Sequence, residues 1–87
     1  MHYVYVLQSM ADHRFYVGQT DDLKNRLEEH NRGKVPSTKY RRPFIIIYYE
    51  ACMNKQDALH REKYLKTTYG KRYIHHRLKS YLDDPNE

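Results

Sequence analysis

The segment YVYVLQSMADHRFYVGQT, residues 3–20, holds two short runs of alternating aromatic and β-branched residues, YVYVLQ and FYVGQT, separated by polar residues. Such runs are typical of β-strands, and the polar spacer predicts an antiparallel hairpin with a loop of about five residues. Side chains alternate between the two faces of a strand, so Tyr3 and Tyr5 share one face of the first strand. Tyr16 and Gly18 likewise share one face of the second strand. Pairing of the strands can therefore bring Tyr5 and Tyr16 to one side of a sheet.

The region after the hairpin predicts a helix and a further strand. Thr20 is expected to cap the helix, with Asp21 and Asp22 at its positive end. Gly33 is suited to the C-terminal boundary of this helix. FIIIYYE, residues 44–50, is a continuous apolar run rich in isoleucine. Such a run predicts a central strand that is covered on both faces.

Two further helices complete the chain. Asn54 is expected to cap one that ends near Gly70, and apolar residues at helical spacing predict another over residues 71–82. The order ββαβαα indicates a small α/β (α+β) fold with a three-stranded, antiparallel-containing sheet flanked by helices. A chain of 87 residues forms one domain. We expect this domain at residues 1–82 and a disordered tail at residues 83–87.

Cysteine content and hydropathy indicate a compartment. Cys52 is the single cysteine, so no internal disulfide can form, which is typical of cytoplasmic proteins. The apolar runs are too short to span a membrane, and the N-terminus lacks the pattern of a secretory signal. We therefore expect a cytoplasmic protein whose N-terminus already belongs to the fold.

Positive charge is concentrated in two parts of the chain. The formal net charge is +5; residues 31–43 contain five Lys/Arg and no acid, and residues 61–79 contain seven Lys/Arg with Glu62 as the single acid. Such asymmetry is expected of a surface that binds a phosphate backbone, the alternative being a solvated face of a basic protein. The residues predicted to contact nucleic acid are Lys34, Lys39, Tyr40, Arg41, Arg42, Lys66, Lys71 and Arg72. Tyr40, which lies between two basic residues, is suited to stacking on an unpaired base.

Two basic residues interrupt the apolar face of the first helix. Leu23 and Leu27 define a face that packs on the sheet. Arg26 and His30 fall on the same face, where apolar residues are expected. Each has an ordinary alternative, since an arginine can lie at the margin of a buried face and a histidine can be a hydrogen-bonded boundary residue.

The second helix has a carboxylate on its apolar face. Glu62 falls between Ala58 and Leu65 in the pattern i, i+4, i+7. A carboxylate buried there is strongly destabilising unless it has a partner or a metal ion. Lys66, one turn further on, is the ordinary partner within a helix. Glu62 is therefore a candidate metal ligand, with a helical ion pair as the alternative.

Together these motifs resemble the GIY-YIG nuclease family, in the small stand-alone bacterial type related to the N-terminal nuclease domain of the ABC excinuclease. YVY at Tyr3 corresponds to the GIY motif and YVG at Tyr16 to the YIG motif. TDDLKNRLEEHN resembles the arginine-bearing helix of the family, and DALHREKYLK resembles the later helix with the metal-binding glutamate. The resemblance covers the chain from Tyr3 to about Leu82 and implies the GIY-YIG endonuclease fold.

The resemblance implies roles for the residues of the hairpin. Tyr5 corresponds to the tyrosine of the first motif, as a general base or a group that positions water. Tyr16 would hold the nucleophile or the scissile phosphate, and Gly18 would permit a close approach where a Cβ would intrude. A tyrosine with a pKa of about 10 is a weak base at neutral pH, so a cation such as Arg26 is expected to lower the pKa of Tyr5.

The resemblance also implies roles for the helical residues. Arg26 would stabilise the charge of the transition state, and His30 would assist by hydrogen bonding or proton transfer. Glu62 would bind a single divalent ion, Mg²⁺ or Mn²⁺. In the excinuclease branch a lysine often follows the second motif, whereas Gln19 stands here. Help from a lysine is therefore either absent or comes from elsewhere, such as Lys66 or Lys39.

The function expected from these residues is metal-dependent hydrolysis of DNA phosphodiesters, with single-strand nicking of structured or damaged DNA. One alternative is a non-catalytic nucleic-acid-binding protein on the same scaffold. Another is a nuclease subunit that a protein partner directs to its target. RNA stays open as a second substrate, and no membrane contact is expected.

Overall fold

The computed structural model describes residues 1–84 and contains a three-stranded sheet with helices on both faces. In chain order the elements are β1 (His2–Ser9), β2 (Phe15–Thr20), α1 (Leu23–Asn31), a 3₁₀ helix (Lys39–Arg41), β3 (Phe44–Cys52), α2 (Lys55–Leu65), α3 (Thr68–Arg77) and α4 (Lys79–Asp83). Both strand pairs are antiparallel. The α+β fold class and the ββαβαα order predicted from the sequence are confirmed, with two short helical segments added.

β1 is the central strand of the sheet, and β2 and β3 are its edges. The prediction that residues 44–50 form the central strand was wrong. Tyr49 of β3 is 55% exposed, whereas Val4 and Val6 of β1 are completely buried. The difference arises because the aromatic body of Tyr5 is also buried and serves as core. With the Tyr5 ring counted as apolar, YVYVL is as continuous an apolar run as FIIIYY. Apolar character alone therefore does not identify the central strand.

The two faces of β1 belong to separate parts of the core. On one face the buried cluster beneath α2 and α3 consists of Val4, Val6, Ala58, Leu65 and Ile74. On the other face the buried cluster beneath α1 consists of Tyr5, Leu7 and Phe44. Complete burial of a large apolar side chain stabilises a fold by about 1.5–3 kcal/mol. Residues on the α1 face of β1 are therefore held in place by the core itself.

The hairpin of β1 and β2 has the predicted form. Tyr5 pairs with Gly18, and Leu7 pairs with Tyr16. Because paired residues point to the same side of a sheet, Tyr5, Tyr16 and Gly18 all lie on the α1 face. The connection between the strands is five residues, 10–14, as expected.

The start of α1 differs from the prediction, and its end agrees with it. Asp22, not Thr20, is the N-cap, and its Oδ1 accepts a hydrogen bond from the backbone N–H of Asn25 at 3.1 Å. Thr20 cannot begin the helix because it is the last residue of β2, where it pairs with Tyr3. Gly33, just beyond the helix, has a positive φ of 77°, the backbone conformation that glycine adopts without strain.

The boundary between α2 and α3 lies earlier than predicted. Asn54 caps α2 as expected, but α2 ends at Leu65, and Thr67 caps α3 through a hydrogen bond from Gly70 N–H. Gly70 thus lies in the first turn of α3, where a Cβ would overlap the backbone carbonyl of Tyr64. Glycine here permits close packing of two helices and does not end a helix. The single helix predicted over residues 71–82 is likewise divided, at Leu78, into the C-terminal part of α3 and α4.

The C-terminal residues were predicted as a tail from residue 83. Asp83 is the last residue of α4, and residues 85–87 lie outside the described residues. The domain boundary near residue 82 stays a prediction. Within residues 1–84 no helix has the length and hydropathy needed to cross a membrane.

Candidate active site

The Tyr5 hydroxyl is the meeting point of the residues predicted for the site. It lies 2.9 Å from His30 Nε2, and Arg26 Nε donates a hydrogen bond to it at 3.4 Å. Tyr5 comes from the central strand, whereas Arg26 and His30 come from successive turns of α1. The polar residues on the apolar face of α1 are therefore aimed at a tyrosine of the sheet. Tyr5 is 2% exposed, and burial by the core fixes the position of its ring.

Gly18 makes room for the Tyr5 ring. A Cβ at this position would overlap the hydroxyl and Cζ of Tyr5 and would lie 3.0 Å from its Cε2. The close approach that the resemblance implied at Gly18 is thus made by another residue of the site. Tyr16 is half-buried on the same face, and its ring centre lies 5.1 Å from that of His30.

His30 is completely buried, and both of its ring nitrogens have partners. Nδ1 lies 2.8 Å from Thr38 Oγ1, and that hydroxyl in turn donates to the carbonyl of Val35 at 3.4 Å. Since the Thr38 proton is used on Val35, Thr38 accepts from Nδ1–H. Nε2 then carries a lone pair and accepts the hydrogen bond from the Tyr5 hydroxyl. Thr38 thereby selects the tautomer of His30.

Sequence reasoning missed Thr38. It lies in the basic segment between α1 and β3, where threonine is ordinary, and no periodic pattern indicates that its side chain is buried. One weak sequence signal could have indicated Thr38. It is a hydroxyl residue that lies in a loop and is close in sequence to His30, a histidine on the apolar face of a helix. Only the fold shows that the loop returns beneath His30.

Burial controls the protonation of the two central groups. Burial, and then the charge of Arg26, lower the pKa of His30 to about 4 against the opposing effect of Glu29, so the imidazole is neutral at pH 7. Burial also raises the pKa of Tyr5, although the hydrogen bond and charge of Arg26 act to lower it. Arg26 thus acts on the pKa of Tyr5 in the expected direction, but desolvation of the phenolate outweighs the arginine and the net change is a rise. Tyr5 is therefore protonated at neutral pH.

Glu62 reaches the site from α2, at the β2 edge of the sheet. Lys66 Nζ lies 3.0 Å from Glu62 Oε2 and 5.9 Å from the centre of the Tyr16 ring. Lys66 thus links the carboxylate to the Tyr16 ring, and the charge of Glu62 adds slightly to the raised pKa of Tyr5. The helical ion pair, the alternative drawn from the sequence, is present. The glutamate side chain is 21% exposed and remains accessible from solvent.

Comparison of the sequence with known domain families identifies this domain. The sequence matches the GIY-YIG catalytic domain over residues 1–80. The chain belongs to the GIY-YIG family. This family is a nuclease superfamily, and membership implies binding of nucleic acid.

Several bacterial relatives share this GIY-YIG domain. The UPF0213 protein YazA of Bacillus subtilis is 36% identical over 94 aligned positions, which cover 99% of this chain and 94% of the relative. A UPF0213 protein of Streptococcus pyogenes serotype M5 is 45% identical over 65 positions, covering 74% of this chain and 70% of the relative. The solution NMR structure of a UPF0213 protein from Bacillus halodurans is similar with a TM-score of 0.51 and 32% identity, covering 99% of this chain and 89% of that one. The small stand-alone type predicted from the motifs is confirmed.

GIY-YIG nucleases generally use divalent metal ions, and Glu62 is the candidate ligand in this domain. Its Oε2 is paired with Lys66, whereas within residues 1–84 its Oε1 accepts no hydrogen bond. The described residues contain no cluster of three or more His, Cys, Asp or Glu side chains suited to a metal ion. A single carboxylate is compatible with Mg²⁺, which keeps several waters and takes further ligands from substrate phosphates. The residues present therefore fit one ion that is bound jointly with substrate.

The basic loop of this GIY-YIG domain lies within the basic segment of residues 31–43. It contains exposed residues and residues whose side chains hold the loop in place. The exposed ones are Lys34, Lys39, Tyr40 and Arg42. Arg41 Nε donates to Asp12 Oδ2 at 2.9 Å and so ties the loop to the hairpin. Arg42 Nε donates to the backbone carbonyl of Lys39 at 2.8 Å. Both arginines thus hold the loop in place. Lys34 and Lys39 are the exposed cations of the loop whose side chains form no hydrogen bond or ion pair among the described residues.

The remaining predicted contacts lie on the α2–α3 side. Lys71 is exposed, and the guanidinium of Arg72 lies 5.9 Å from the centre of the Tyr69 ring. Lys66 connects this side to the candidate site through Glu62 and Tyr16. The basic loop joins the site from the other face through Thr38. The two basic groups therefore flank the tyrosine pair from opposite faces of the sheet.

Asn31 is a second residue that sequence reasoning missed. Its Nδ2 donates to the carbonyl of Phe44 at 3.0 Å, and the Phe44 N–H donates to its Oδ1 at 2.7 Å. The side chain thus pairs with the first residue of β3 as a neighbouring strand would. This contact, which we call the Asn31 clamp, joins the end of α1 to the start of β3.

Proposed function

We propose that this GIY-YIG domain is a divalent-metal-dependent endonuclease that makes single-strand nicks in DNA, with structured or damaged DNA as its target, in the cytoplasm. The observation that carries the proposal is the Tyr5 hydroxyl, 2.9 Å from His30 Nε2 and 3.4 Å from Arg26 Nε. A hydroxyl between a neutral imidazole and a guanidinium can transfer a proton while adjacent negative charge is neutralised. Hydrolysis of a phosphodiester by water requires both effects.

Tyr5 accepts the proton of the attacking water in this proposal. As the new P–O bond forms, the bond from phosphorus to the leaving oxygen breaks, and that oxygen takes a proton from solvent. Because Tyr5 is itself protonated at neutral pH, it accepts the proton of the water only as it passes its own to His30 Nε2. His30 can accept it because Thr38 keeps the other ring proton at Nδ1. Burial opposes an imidazolium here. The negative charge of a bound phosphodiester raises the pKa of His30 and so favours the transfer.

Arg26 and Tyr16 bind the phosphate. Arg26 NH1 lies 3.1 Å from Glu29 Oε1, and the two side chains are 35% and 36% exposed. A surface ion pair of this kind is weak, so a phosphate oxygen can replace Glu29 on the guanidinium. Tyr16, half-buried beside His30, is assigned to holding the scissile phosphate.

Glu62 would hold the divalent ion. An ion bound there supplies positive charge that stabilises the phosphoryl oxygens. Lys66 would release or share the carboxylate and would remain beside Tyr16 as a further cation. The single carboxylate leaves the remaining coordination positions for water and substrate.

The test is nicking of supercoiled plasmid in the presence of Mg²⁺ or Mn²⁺. We expect Tyr5→Phe to reduce the nicking rate by about 10²–10⁴-fold, as for loss of a proton-transfer group. Arg26→Ala is expected to reduce it by about 10²–10³-fold, as for loss of one electrostatic stabiliser. Glu62→Gln should abolish metal-dependent nicking, because the ion loses its protein ligand.

Each variant has a matched control on the same protein. Tyr49→Phe changes an exposed tyrosine of β3, Arg32→Ala an exposed arginine of α1, and Glu28→Gln the exposed partner of Arg32. All three controls should nick at the wild-type rate. Equal nicking by wild type and Glu62→Gln would refute the proposal. DNA binding without nicking of any substrate would instead favour a binding protein on the GIY-YIG scaffold.

A further inference from the structure

A cavity of about 600 Å³ lies beside the candidate site, between the β1–β2 hairpin and helices α2 and α3. We call it the hairpin cavity. Tyr16 and Lys66 line it, and Lys66 is ion-paired with Glu62. Its volume falls in the range of pockets that bind small organic groups, about 300–1,000 Å³. The catalytic residues proposed above do not account for it.

The floor of the hairpin cavity is apolar, and one wall is aromatic. The floor side chains are Val6, Val17, Leu65 and Ile74. On the wall, the rings of Phe15 and His75 are stacked, with centres 5.0 Å apart and planes 21° from parallel. A floor of this kind excludes water from one side of a bound group. The aromatic wall offers an edge or face to a flat ring.

The rim of the hairpin cavity is positively charged. Arg14, Lys66 and Lys71 line it, and no carboxylate does so among the described residues. Within residues 1–84, the side chains of Arg14 and Lys71 form no ion pair. These two cations can bind an anionic group, and the apolar floor can bind a flat apolar one. The cavity is therefore complementary to a ligand that has both.

We propose that the hairpin cavity binds one unpaired nucleobase of the substrate, with the adjoining phosphates on Arg14 and Lys71. The proposal rests on the proposed function in one respect, that the scissile phosphate lies at Tyr16, next to the cavity. A base inside a double helix cannot enter a recess of this kind without leaving the stack, which costs a few kcal/mol. The substrate class is therefore DNA with a single-stranded, mismatched or extruded nucleotide beside the cleaved bond.

Binding can be measured separately from cleavage, in a buffer with a chelator. The probes are a short single-stranded oligonucleotide with a central 2-aminopurine, the same strand with an abasic position in its place, and the corresponding duplex. We expect wild type to change the 2-aminopurine fluorescence and to bind the single strand about tenfold more tightly than the abasic strand or the duplex, as for one stacked base.

His75→Ala removes the exposed ring of the aromatic wall, and His76→Ala is its matched control, an exposed neighbour on α3 that does not line the cavity. His75→Ala should remove most of the preference for the base over the abasic position, and His76→Ala should retain it. Lys71→Ala should weaken binding of both single strands equally. Lys24→Ala, an exposed residue of α1 on the other face, should leave both affinities unchanged.

Three results would overturn the inference: no fluorescence change on binding, equal affinity for the natural and abasic strands, or His75→Ala indistinguishable from His76→Ala. If any of these results is found and the protein still nicks perfect duplex in a Tyr5-dependent way, the proposed nuclease function is supported and the base-binding role of the cavity is rejected. Base-dependent binding that is lost in His75→Ala, in a protein that cuts nothing, would support the cavity and reject the nuclease.

Discussion

Thr38→Val tests whether the loop controls His30. Valine has nearly the shape of threonine but cannot accept the hydrogen bond from His30 Nδ1–H, which spans 2.8 Å in a completely buried position. His30 must then either leave this donor without a partner or change to the tautomer with its proton on Nε2. In the second case Nε2 faces the Tyr5 hydroxyl as a donor and can no longer accept its proton.

The size of the effect follows from the burial. A buried polar group left without a partner destabilises a protein by about 1–3 kcal/mol. The second bond of Thr38, to the Val35 carbonyl, is also lost in Thr38→Val, but that carbonyl still accepts from the Thr38 backbone N–H at 3.1 Å. Thr38→Ser is the matched control, because it keeps the hydroxyl and removes only a methyl group. We therefore expect Thr38→Val to be less stable than Thr38→Ser by about 1–3 kcal/mol.

Urea denaturation of the two variants at pH 7 measures this difference. With a denaturant slope of about 1 kcal/mol/M for a small domain, the midpoint of Thr38→Val should lie about 1–3 M below that of Thr38→Ser. The nicking rate should fall with it, measured at temperatures where both variants are folded. Midpoints within about 0.3 M of each other would show that Thr38 does not hold His30, and the tautomer argument would then be wrong.

Three further predictions follow from contacts of the same site and its supports. The pKa of histidine is near 6.5 in the unfolded chain, whereas burial lowers the pKa of His30 in the native chain to about 4. Between these pH values the unfolded state binds more protons than the native state. The free energy of unfolding should therefore be highest above pH 6.5 and fall by up to ~3 kcal/mol as the pH approaches 4. His30→Gln should lack this part of the slope in urea titrations, and a wild-type slope in that variant would contradict the assignment. Gly18→Ala should destabilise by about 1–3 kcal/mol, since the new Cβ overlaps Tyr5. A lowered midpoint in thermal denaturation relative to wild type measures this, and an unchanged midpoint would show that the ring can move freely. Glu50→Ala removes the carboxylate that accepts hydrogen bonds from Arg61 at 2.9 and 3.0 Å and from the Tyr48 hydroxyl at 2.8 Å. We expect the free energy of unfolding, measured in urea, to fall by about 1–2 kcal/mol. Glu28→Ala, at an exposed residue, should leave it unchanged.

Much of the fold was predictable because local patterns and tertiary packing agree. The alternation of YVYVLQ and FYVGQT predicted which residues share a face of each strand, so Tyr5 and Tyr16 on one side of the sheet were predictable. The pairing of Tyr5 with Gly18 was seen only in the structure. β3 was misassigned because periodicity measures how apolar a strand is and not where it lies in the sheet. Gly70 was misread for a related reason: the sequence shows a missing Cβ but not the helix that fills its place.

The candidate site was predictable as a set of residues and less so as a set of chemical states. Arg26 and His30 stood out because charged groups on an apolar face need a reason to be there. The sign of the pKa shift at Tyr5 could not be predicted, since it depends on how completely the fold removes water from the hydroxyl. Thr38 could not be predicted because its burial depends on the path of a loop, which no periodic pattern describes.

The Asn31 clamp has a consequence for the loop that it closes. By joining the end of α1 to Phe44, the amide turns residues 32–43 into a ring that is fastened at its base. The entropy of closing such a ring changes slowly with its size, by only about 0.6 kcal/mol for a doubling in length. Mutation can thus lengthen, shorten or recharge the ring at small cost in stability, provided that Asn31 keeps its base closed and one hydroxyl still reaches His30. The exposed residues of the ring, which we propose to contact the substrate, are free to diversify while the buried contacts of His30 stay the same.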